Sequence, residues 1–122
     1  MSPNLTASPD TYRQSAVLTA TPERLIVMLY DGAHRFLCQA AAAMRRREIA
    51  VAHNQLRRAE AIIAHLQSTL DLDYGEIPQN LLSIYLFCRR HLNQARVDFD
   101  PEKVEEVDRL LQTLRNAWDQ IC

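Results

Sequence analysis

The side chains that could do chemistry in this chain are its histidines and cysteines, with the carboxylates near them. They are His34, His53, His65, His91, Cys38, Cys88 and Cys122. No histidine has a second histidine four residues on, so the zinc-protease pattern His-Glu-x-x-His does not occur. A di-iron bundle needs Glu-x-x-His on two helices, and only Asp31-x-x-His34 approaches that pattern. The sequence therefore predicts no metal site.

Other patterns for catalysis or ligand binding do not occur either. The two glycines, Gly32 and Gly75, are isolated, which excludes a glycine-rich phosphate loop, and no Ser, Cys or Thr stands in a nucleophile motif. A net charge of -1 argues against nucleic-acid binding, which normally needs a basic surplus. The odd number of cysteines without metal-type spacing is typical of free thiols in a reducing compartment. We therefore expect a binding protein without a cofactor, not an enzyme.

Length and composition indicate one domain. A chain of 122 residues can bury one core but not two, and 48% hydrophobic with 24% charged residues is an ordinary globular composition. We expect residues 1–11 to be a flexible tail, because they are small, polar and interrupted by proline, and residues 12–122 to form the single domain. The sequence has no signal peptide and no apolar run of membrane-spanning length, so we expect no membrane insertion and a cytoplasmic location.

Apolar residues at helical spacing predict four helices. The first begins after Thr21, a good N-cap, with Pro22 at the first helical position. The second runs from about Ile49 to Leu70, the third from Pro78 to about Val97, and the fourth follows the N-cap Asp100. Short connections between such helices predict an all-α fold, an antiparallel up-down four-helix bundle.

Two features of the first helix leave alternatives open. The run Arg45-Arg46-Arg47-Glu48 contains no glycine or proline, so one helix of about 50 residues is an alternative to a break. We favour the break, because an unbroken rod would carry two apolar faces too long for this domain. Gly32 lies in mid-helix, where it costs about 1 kcal/mol relative to Ala. It is either a tolerated flaw or a point where a second backbone approaches closely.

The third helix carries more apolar side chains than one buried face needs. Its main face consists of Leu81, Ile84, Tyr85, Cys88, Leu92 and Ala95. Leu82 and Leu86 lie about 100 to 140° around the helix from that face, and Phe87 lies off its other side. A helix that is apolar nearly all round is either central in its fold or covered by another molecule.

Three runs of residues lie around the start of the first helix: Tyr12 to Ser15, Val17 to Glu23 (VLTATPE) and Met28 to Ala33 (MLYDGA). They resemble the opening of the FliS family of flagellar secretion chaperones, and further matches extend to about residue 121. Where that family usually has Gly-Asp at the first turn, this chain has Arg47-Glu48. It has Ala95-Arg96 where Ala-Asn is usual.

The resemblance implies a cytoplasmic four-helix bundle that binds the disordered C-terminal region of flagellin and prevents its premature polymerisation. It also implies help in delivering flagellin to the flagellar type III export apparatus, with the export gate as a further partner. The family's N-terminal segment is described as a cap over part of the binding groove. The alternative function is a structural or adaptor bundle without flagellar cargo that self-associates through its surplus apolar surface, so a homodimer is left open.

Pattern and resemblance together predict the residues that contact a partner. They are Ile62 on the second helix, Leu82 and Leu86 on the third, and Tyr12, Val17 and Leu18 in a short, displaceable N-terminal cap segment. The trio in the cap segment is too small to form a stable helix alone, so that segment either docks on the domain or waits for a partner. Plain core packing is the alternative for each single residue.

Overall fold

The computed structural model describes residues 19–120, and all regular structure within that range is helical. The elements are α1 Pro22–Arg45, α2 Ile49–Ser68, a 3₁₀ turn Leu72–Tyr74, α3 Glu76–Asp98 and α4 Pro101–Asp119. α1 and α3 each pack against both α2 and α4, so α1 and α3 lie diagonally across the bundle. The predicted all-α antiparallel four-helix bundle is confirmed. The predicted boundary between tail and domain lies outside the described residues.

Capping side chains fix the starts of α1 and α4 as the sequence predicts. Thr21 accepts a hydrogen bond from the Arg24 backbone N–H at 3.2 Å, and Asp100 accepts one from the Glu102 backbone N–H at 2.9 Å. Each bond satisfies a donor that has no acceptor inside its own helix. A proline at the first position then costs nothing, since its missing N–H would have had no helical partner.

α2 ends at Ser68, two residues before the predicted Leu70. The Ser68 and Thr69 hydroxyls donate to the carbonyls of His65 and Leu66 at 2.6 and 2.7 Å. Hydroxyl groups that bond to the preceding turn in this way compete with the backbone for its acceptors and favour termination.

α3 begins at Glu76 and not at Pro78. Gly75 has φ +102° and ψ -152°, a conformation open to glycine, and it turns the chain directly into the helix. Pro78 then occupies the third helical position, where a backbone N–H would still lack a helical acceptor. The proline is therefore compatible with the first turn instead of marking its start.

A turn separates α1 from α2 although it contains neither glycine nor proline. Arg47 adopts a left-handed backbone with φ +60°. The backbone N–H groups of Arg47 and Glu48 donate to the carbonyls of Met44 and Ala43 at 3.1 and 2.9 Å. These bonds satisfy acceptors at the end of α1, as in a helix that ends on a left-handed residue. The single long helix is thereby excluded.

We expect Arg47→Gly to raise the free energy of unfolding by about 0.5–1 kcal/mol. Removing the Cβ relieves left-handed strain worth about 1–2 kcal/mol, and the greater freedom of glycine in the unfolded chain cancels part of the gain. Urea denaturation followed by circular dichroism measures the change. Arg46→Gly is the matched control, because Arg46 has φ -89° and carries no such strain. A less stable Arg47→Gly protein would contradict this account.

α1 is the most deeply buried helix, because α2 and α4 cover it from two sides. Its buried side chains are Val27, Tyr30, Ala33, Leu37, Ala40, Ala41, Ala43 and Met44. Val27, Tyr30, Ala41 and Ala43 belong to this set, so the buried face is wider than a single stripe. Small side chains allow close approach between helix axes, and α1 supplies them at the contacts.

Gly32 lies at one of these close contacts. It is buried, and a Cβ added there would lie 3.2 Å from Cδ1 of Ile62 on α2. The contact favours the close-approach interpretation over a tolerated flaw. The neighbour is a side chain, however, and not the second backbone that the sequence suggested.

α3 contacts its neighbours less extensively than α1 does. Its buried residues are Tyr85, Cys88, Leu92 and Ala95. Across the core, the hydroxyl oxygens of Tyr85 and Tyr30 lie 2.5 Å apart, which links the two diagonal helices. At the surface, Arg96 forms an ion pair with Glu60 of α2. Bulky core residues and a few polar links therefore hold α3 in place.

The buried hydroxyls and thiol along this diagonal make stability sensitive to alkaline pH. Burial raises the pKa of Tyr30 and of Tyr85, and it raises the pKa of the Cys88 thiol to about 12. All three groups are neutral near pH 7 in both the folded and the unfolded chain. Above about pH 9 the unfolded chain releases protons that the folded protein still holds, so the free energy of unfolding falls as pH rises.

We expect little change in stability between about pH 7 and 8, because the three groups stay protonated in both states. Between about pH 9 and 12 the free energy of unfolding should fall by up to about 1.4 kcal/mol per pH unit for each group. Denaturant titrations at a series of pH values measure this slope. Stability that held constant to about pH 11 would contradict the burial of these groups.

Candidate functional site

Most of the exposed large apolar side chains in the described range lie on α3 and the turn before it. They are Leu72, Tyr74, Ile77, Leu86, Phe87 and Val97. Tyr74 and Ile77 are 83% and 74% exposed, and only Ile49 and Val51, at the start of α2, belong to the same class elsewhere in that range. α3 and the turn before it therefore carry exposed apolar side chains outside the core face of the helix. We call this set of six the α3 surface.

The three predicted partner-binding residues in the described range do not lie at one place in the structure. Leu86 lines a surface groove between α2 and α3, together with Glu60. Leu82 is half-buried and lies one turn before Leu86 on the same flank of α3. Ile62 is half-buried against the core at the contact with Gly32 of α1. Leu82 and Leu86 are thus brought together, whereas Ile62 lies on the other flank of α2.

The groove between α2 and α3 has an apolar side chain beside a polar and basic rim. It is lined by Glu60, Leu86, Arg89, Arg90 and Asn93. Arg89 Nη1 donates to the side-chain oxygen of Gln67 on α2 at 2.8 Å. Glu60 is paired with Arg96, and both side chains are 24% exposed. The free positive charge of Arg89 and Arg90 therefore lies next to Leu86, which suits a partner segment with apolar and acidic side chains.

Sequence reasoning missed this rim, although a signal for it was present. Leu82, Arg89 and Arg96 are spaced by seven residues, which places them on one flank of a helix. The two described contacts of Arg89 and Arg96 with α2 show that this flank faces α2. The spacing alone predicts that the three residues share a flank of α3, but not which helix lies next to that flank.

A cavity lies at the end of the bundle where α1 begins and α4 ends. Its volume is about 220 Å³, and its lining includes Ile26, Leu70, Tyr74, Pro78 and Trp118. Trp118 is half-buried and packs on the core there. We call this the end cavity.

The predicted cap residues Tyr12, Val17 and Leu18 lie outside the described residues, so their placement stays a prediction. They precede α1 in the chain, and α1 begins at the end of the bundle that contains the end cavity.

The described residues thus form a helical bundle with exposed apolar side chains on α3 and the turn before it. No helix between residues 19 and 120 is both long enough and apolar enough to span a membrane. A family model described as flagellar protein FliS matches residues 5–122. The chain therefore belongs to the FliS family, and the resemblance found in the sequence is confirmed.

Relatives from distant bacteria agree with this assignment. The flagellar secretion chaperone FliS of Salmonella typhimurium is 37% identical over 110 residues, which cover 88% of this chain and 82% of the relative. The Bacillus subtilis protein of the same name is 33% identical, with 89% and 81% covered. That of Campylobacter jejuni is 30% identical, with 90% and 87% covered. The family is thus one of chaperones in flagellar biogenesis, with flagellar proteins as partners.

Proposed function

We propose that this chain binds the disordered C-terminal region of flagellin in the cytoplasm and prevents its premature polymerisation. It then assists delivery of flagellin to the flagellar type III export apparatus, where the export gate is its second partner. The observation that carries the proposal is the uncovered α3 surface in a chain of a flagellar chaperone family.

The shape of the α3 surface supports an extended cargo. Between Ile77 and Val97 these side chains are spread over about 30 Å of α3 at 1.5 Å per residue. Ile77 lies roughly 180° around the helix from Leu86 at 100° per residue, so a cargo that contacts both wraps around α3. A cargo that must be exported unfolded has to leave its chaperone again. An extended surface that orders a disordered segment buries a large area at modest net affinity, because the ordering cost offsets part of the gain.

The groove between α2 and α3 supports a helical segment within that cargo. Leu82 and Leu86 present apolar contacts one turn apart, which suit the spaced apolar anchors of an amphipathic helix. Arg89 and Arg90 at the rim suit carboxylates on the polar face of that helix. Ile62, on the α1 side of α2, would contact only a cargo that wraps further around the bundle.

The cap segment completes the proposal. In the free protein the segment with Tyr12, Val17 and Leu18 acts as a displaceable cap over part of the cargo-binding surface, and cargo displaces it. Deleting residues 1–18 should then raise the affinity for cargo, because a competitor for the apolar surface is removed. If the shortened chain bound cargo with unchanged or lower affinity, the segment would not compete with cargo.

The experiment that tests the proposal is to mix the full chain with a flagellin C-terminal peptide. We expect saturable heat of binding by calorimetry. The helical circular dichroism signal of the mixture should exceed the sum of the signals of the separate chain and peptide, since the peptide gains helix. A scrambled peptide of the same composition is the control. If the peptide neither binds nor gains helix, flagellin is not the cargo.

The same experiment distinguishes flagellin binding from the alternative function, a self-associating bundle. That bundle would use the α3 surface to form a dimer, which sedimentation detects. The alternative is favoured if the protein does not bind the flagellin peptide and forms dimers that Leu86→Asp converts to monomers. A monomeric protein that binds the flagellin peptide would exclude the self-associating bundle.

A further inference from the structure

Three side chains of the kinds that bind transition metals lie together between α1 and α4, away from the α3 surface. His34 and Cys38 are one turn apart on α1, and Asp108 faces them from α4. Their ligand atoms all lie within 4.8 Å of one another. We propose that His34, Cys38 and Asp108 form a zinc-binding site that ties α1 to α4.

The distances between donor atoms suit a tetrahedral ion. Nδ1 of His34 lies 2.8 and 3.0 Å from the two oxygens of Asp108, and Sγ of Cys38 lies 3.7 Å from that nitrogen and 3.9 Å from Oδ2. Zinc bonds of about 2.0–2.3 Å at tetrahedral angles require donor separations of roughly 3.3–3.6 Å. Each separation therefore changes by only about 0.5 Å or less on binding.

The charge and the donor types also suit zinc. A thiolate, a carboxylate and a neutral imidazole carry two negative charges together, which a divalent cation neutralises. Nitrogen and sulfur donors favour zinc over magnesium or calcium, which prefer oxygen. Binding releases one proton from the Cys38 thiol, and the ring proton of His34 moves from Nδ1 to Nε2 so that Nδ1 can coordinate.

The surroundings leave one coordination position for solvent. The neighbouring carboxylate of Glu105 is engaged through both oxygens by Arg45, at 2.7 and 2.8 Å. A surface cavity lined by Cys38, Asp108 and Arg45, among others, opens beside the donors and gives an ion access. Three protein ligands and a water then complete four-fold coordination.

The same three residue types also occur in nucleophilic catalysis, but this arrangement does not favour it. Burial and the adjacent Asp108 carboxylate raise the pKa of the Cys38 thiol, so its neighbours do not activate it as a thiolate. Sγ of Cys38 lies 3.7 Å from both ring nitrogens of His34, so neither nitrogen is placed specifically to accept the thiol proton. A bound cation is what would favour the thiolate here.

Cobalt and zinc titrations test the proposal on the full chain without a polyhistidine tag, in a Cys122→Ser background. One equivalent of Co²⁺ should produce thiolate-to-cobalt charge-transfer absorption, and Zn²⁺ should remove it by displacement. One equivalent of Zn²⁺ should also raise the thermal unfolding midpoint, whereas the same concentration of Mg²⁺ should not.

Variants identify the ligands. His34→Gln, Asp108→Asn and Cys38→Ser should each abolish the charge-transfer absorption while keeping the helical circular dichroism. His65→Gln, at an exposed position on α2, is the matched control and should keep it. Absence of the absorption in the starting protein would overturn the proposal, and so would its survival in the His34 and Asp108 variants. The cluster would then be only a hydrogen-bonded pair beside a thiol.

Discussion

Leu86→Asp should weaken binding of a flagellin C-terminal peptide by about 100-fold, as measured by calorimetry. Leu86 is 36% exposed, so covering it with cargo contributes about 0.5–1 kcal/mol, roughly a third of the value for a fully exposed side chain. A carboxylate in its place loses that gain and must also give up water, so a total loss of about 3 kcal/mol is expected. Because Leu86 is 36% exposed in the free protein, the variant should fold normally.

Ile49→Asp is the matched control for this prediction. Ile49 is also an exposed apolar residue, at 59%, but it lies at the start of α2 and outside the α3 surface. The same change in charge and shape should leave peptide binding within about twofold of the original protein, since surface substitutions usually have small effects. Equal losses in both variants would point to charge repulsion and not to a contact at Leu86.

Tyr85→Ala should lower the free energy of unfolding by about 3–5 kcal/mol, the largest loss that we expect from a single change in α3. Tyr85 is 2% exposed, and its ring fills the core face where α3 meets the other helices. Truncation leaves a cavity and also removes the hydroxyl that contacts Tyr30 across the diagonal. Urea denaturation measures the loss.

Two comparisons separate the ring from the hydroxyl. Tyr85→Phe keeps the ring and should cost about 1–2 kcal/mol, because only the hydrogen bond to Tyr30 is lost. Leu86→Ala, one residue further along α3, should cost about 1 kcal/mol or less, since that side chain is partly exposed. If Tyr85→Ala cost no more than Leu86→Ala, the core face assigned to α3 would be wrong.

Local chemistry made much of the fold predictable. Thr21 and Asp100 cap their helices because their side chains need only the backbone a few residues on, and that relation is visible in the sequence. The buried face of α2 was also predictable, because its apolar residues recur in steps of four and three: Ala52, Leu56, Ala59, Ile63 and Leu66. Both features depend on neighbours within a turn or two of the same helix.

Features that depend on other helices were less predictable. The sequence indicated that the chain breaks after α1, but not that Arg47 would take the left-handed conformation. The apolar character of Ile62 was evident, yet its contact with Gly32 depends on which flank of α2 meets α1.

The proposed metal site shows the same limit. His34 and Cys38 are four residues apart, a helical spacing that was visible but not used. Asp108 lies 74 residues beyond His34 and reaches it only through the packing of α1 on α4. No pattern within a single segment of the chain would have joined these three side chains.

Similarly, the sequence predicted that α3 carries more apolar side chains than its core face needs, but not which residues of α2 lie beside them. Leu82 and Leu86 were predicted to contact a partner from their angular position on the helix. Their location beside the basic rim follows from the contacts of Arg89 and Arg96 with α2.

The uneven packing of the two diagonal helices also has a consequence for motion. α1 is covered on two sides, whereas α3 is held by less extensive contacts. Amide protons of α3 should therefore exchange with deuterium sooner than those of α1, through opening events that leave the other three helices paired. Under the proposed function, such local opening of α3 would release bound cargo while the rest of the bundle stays folded.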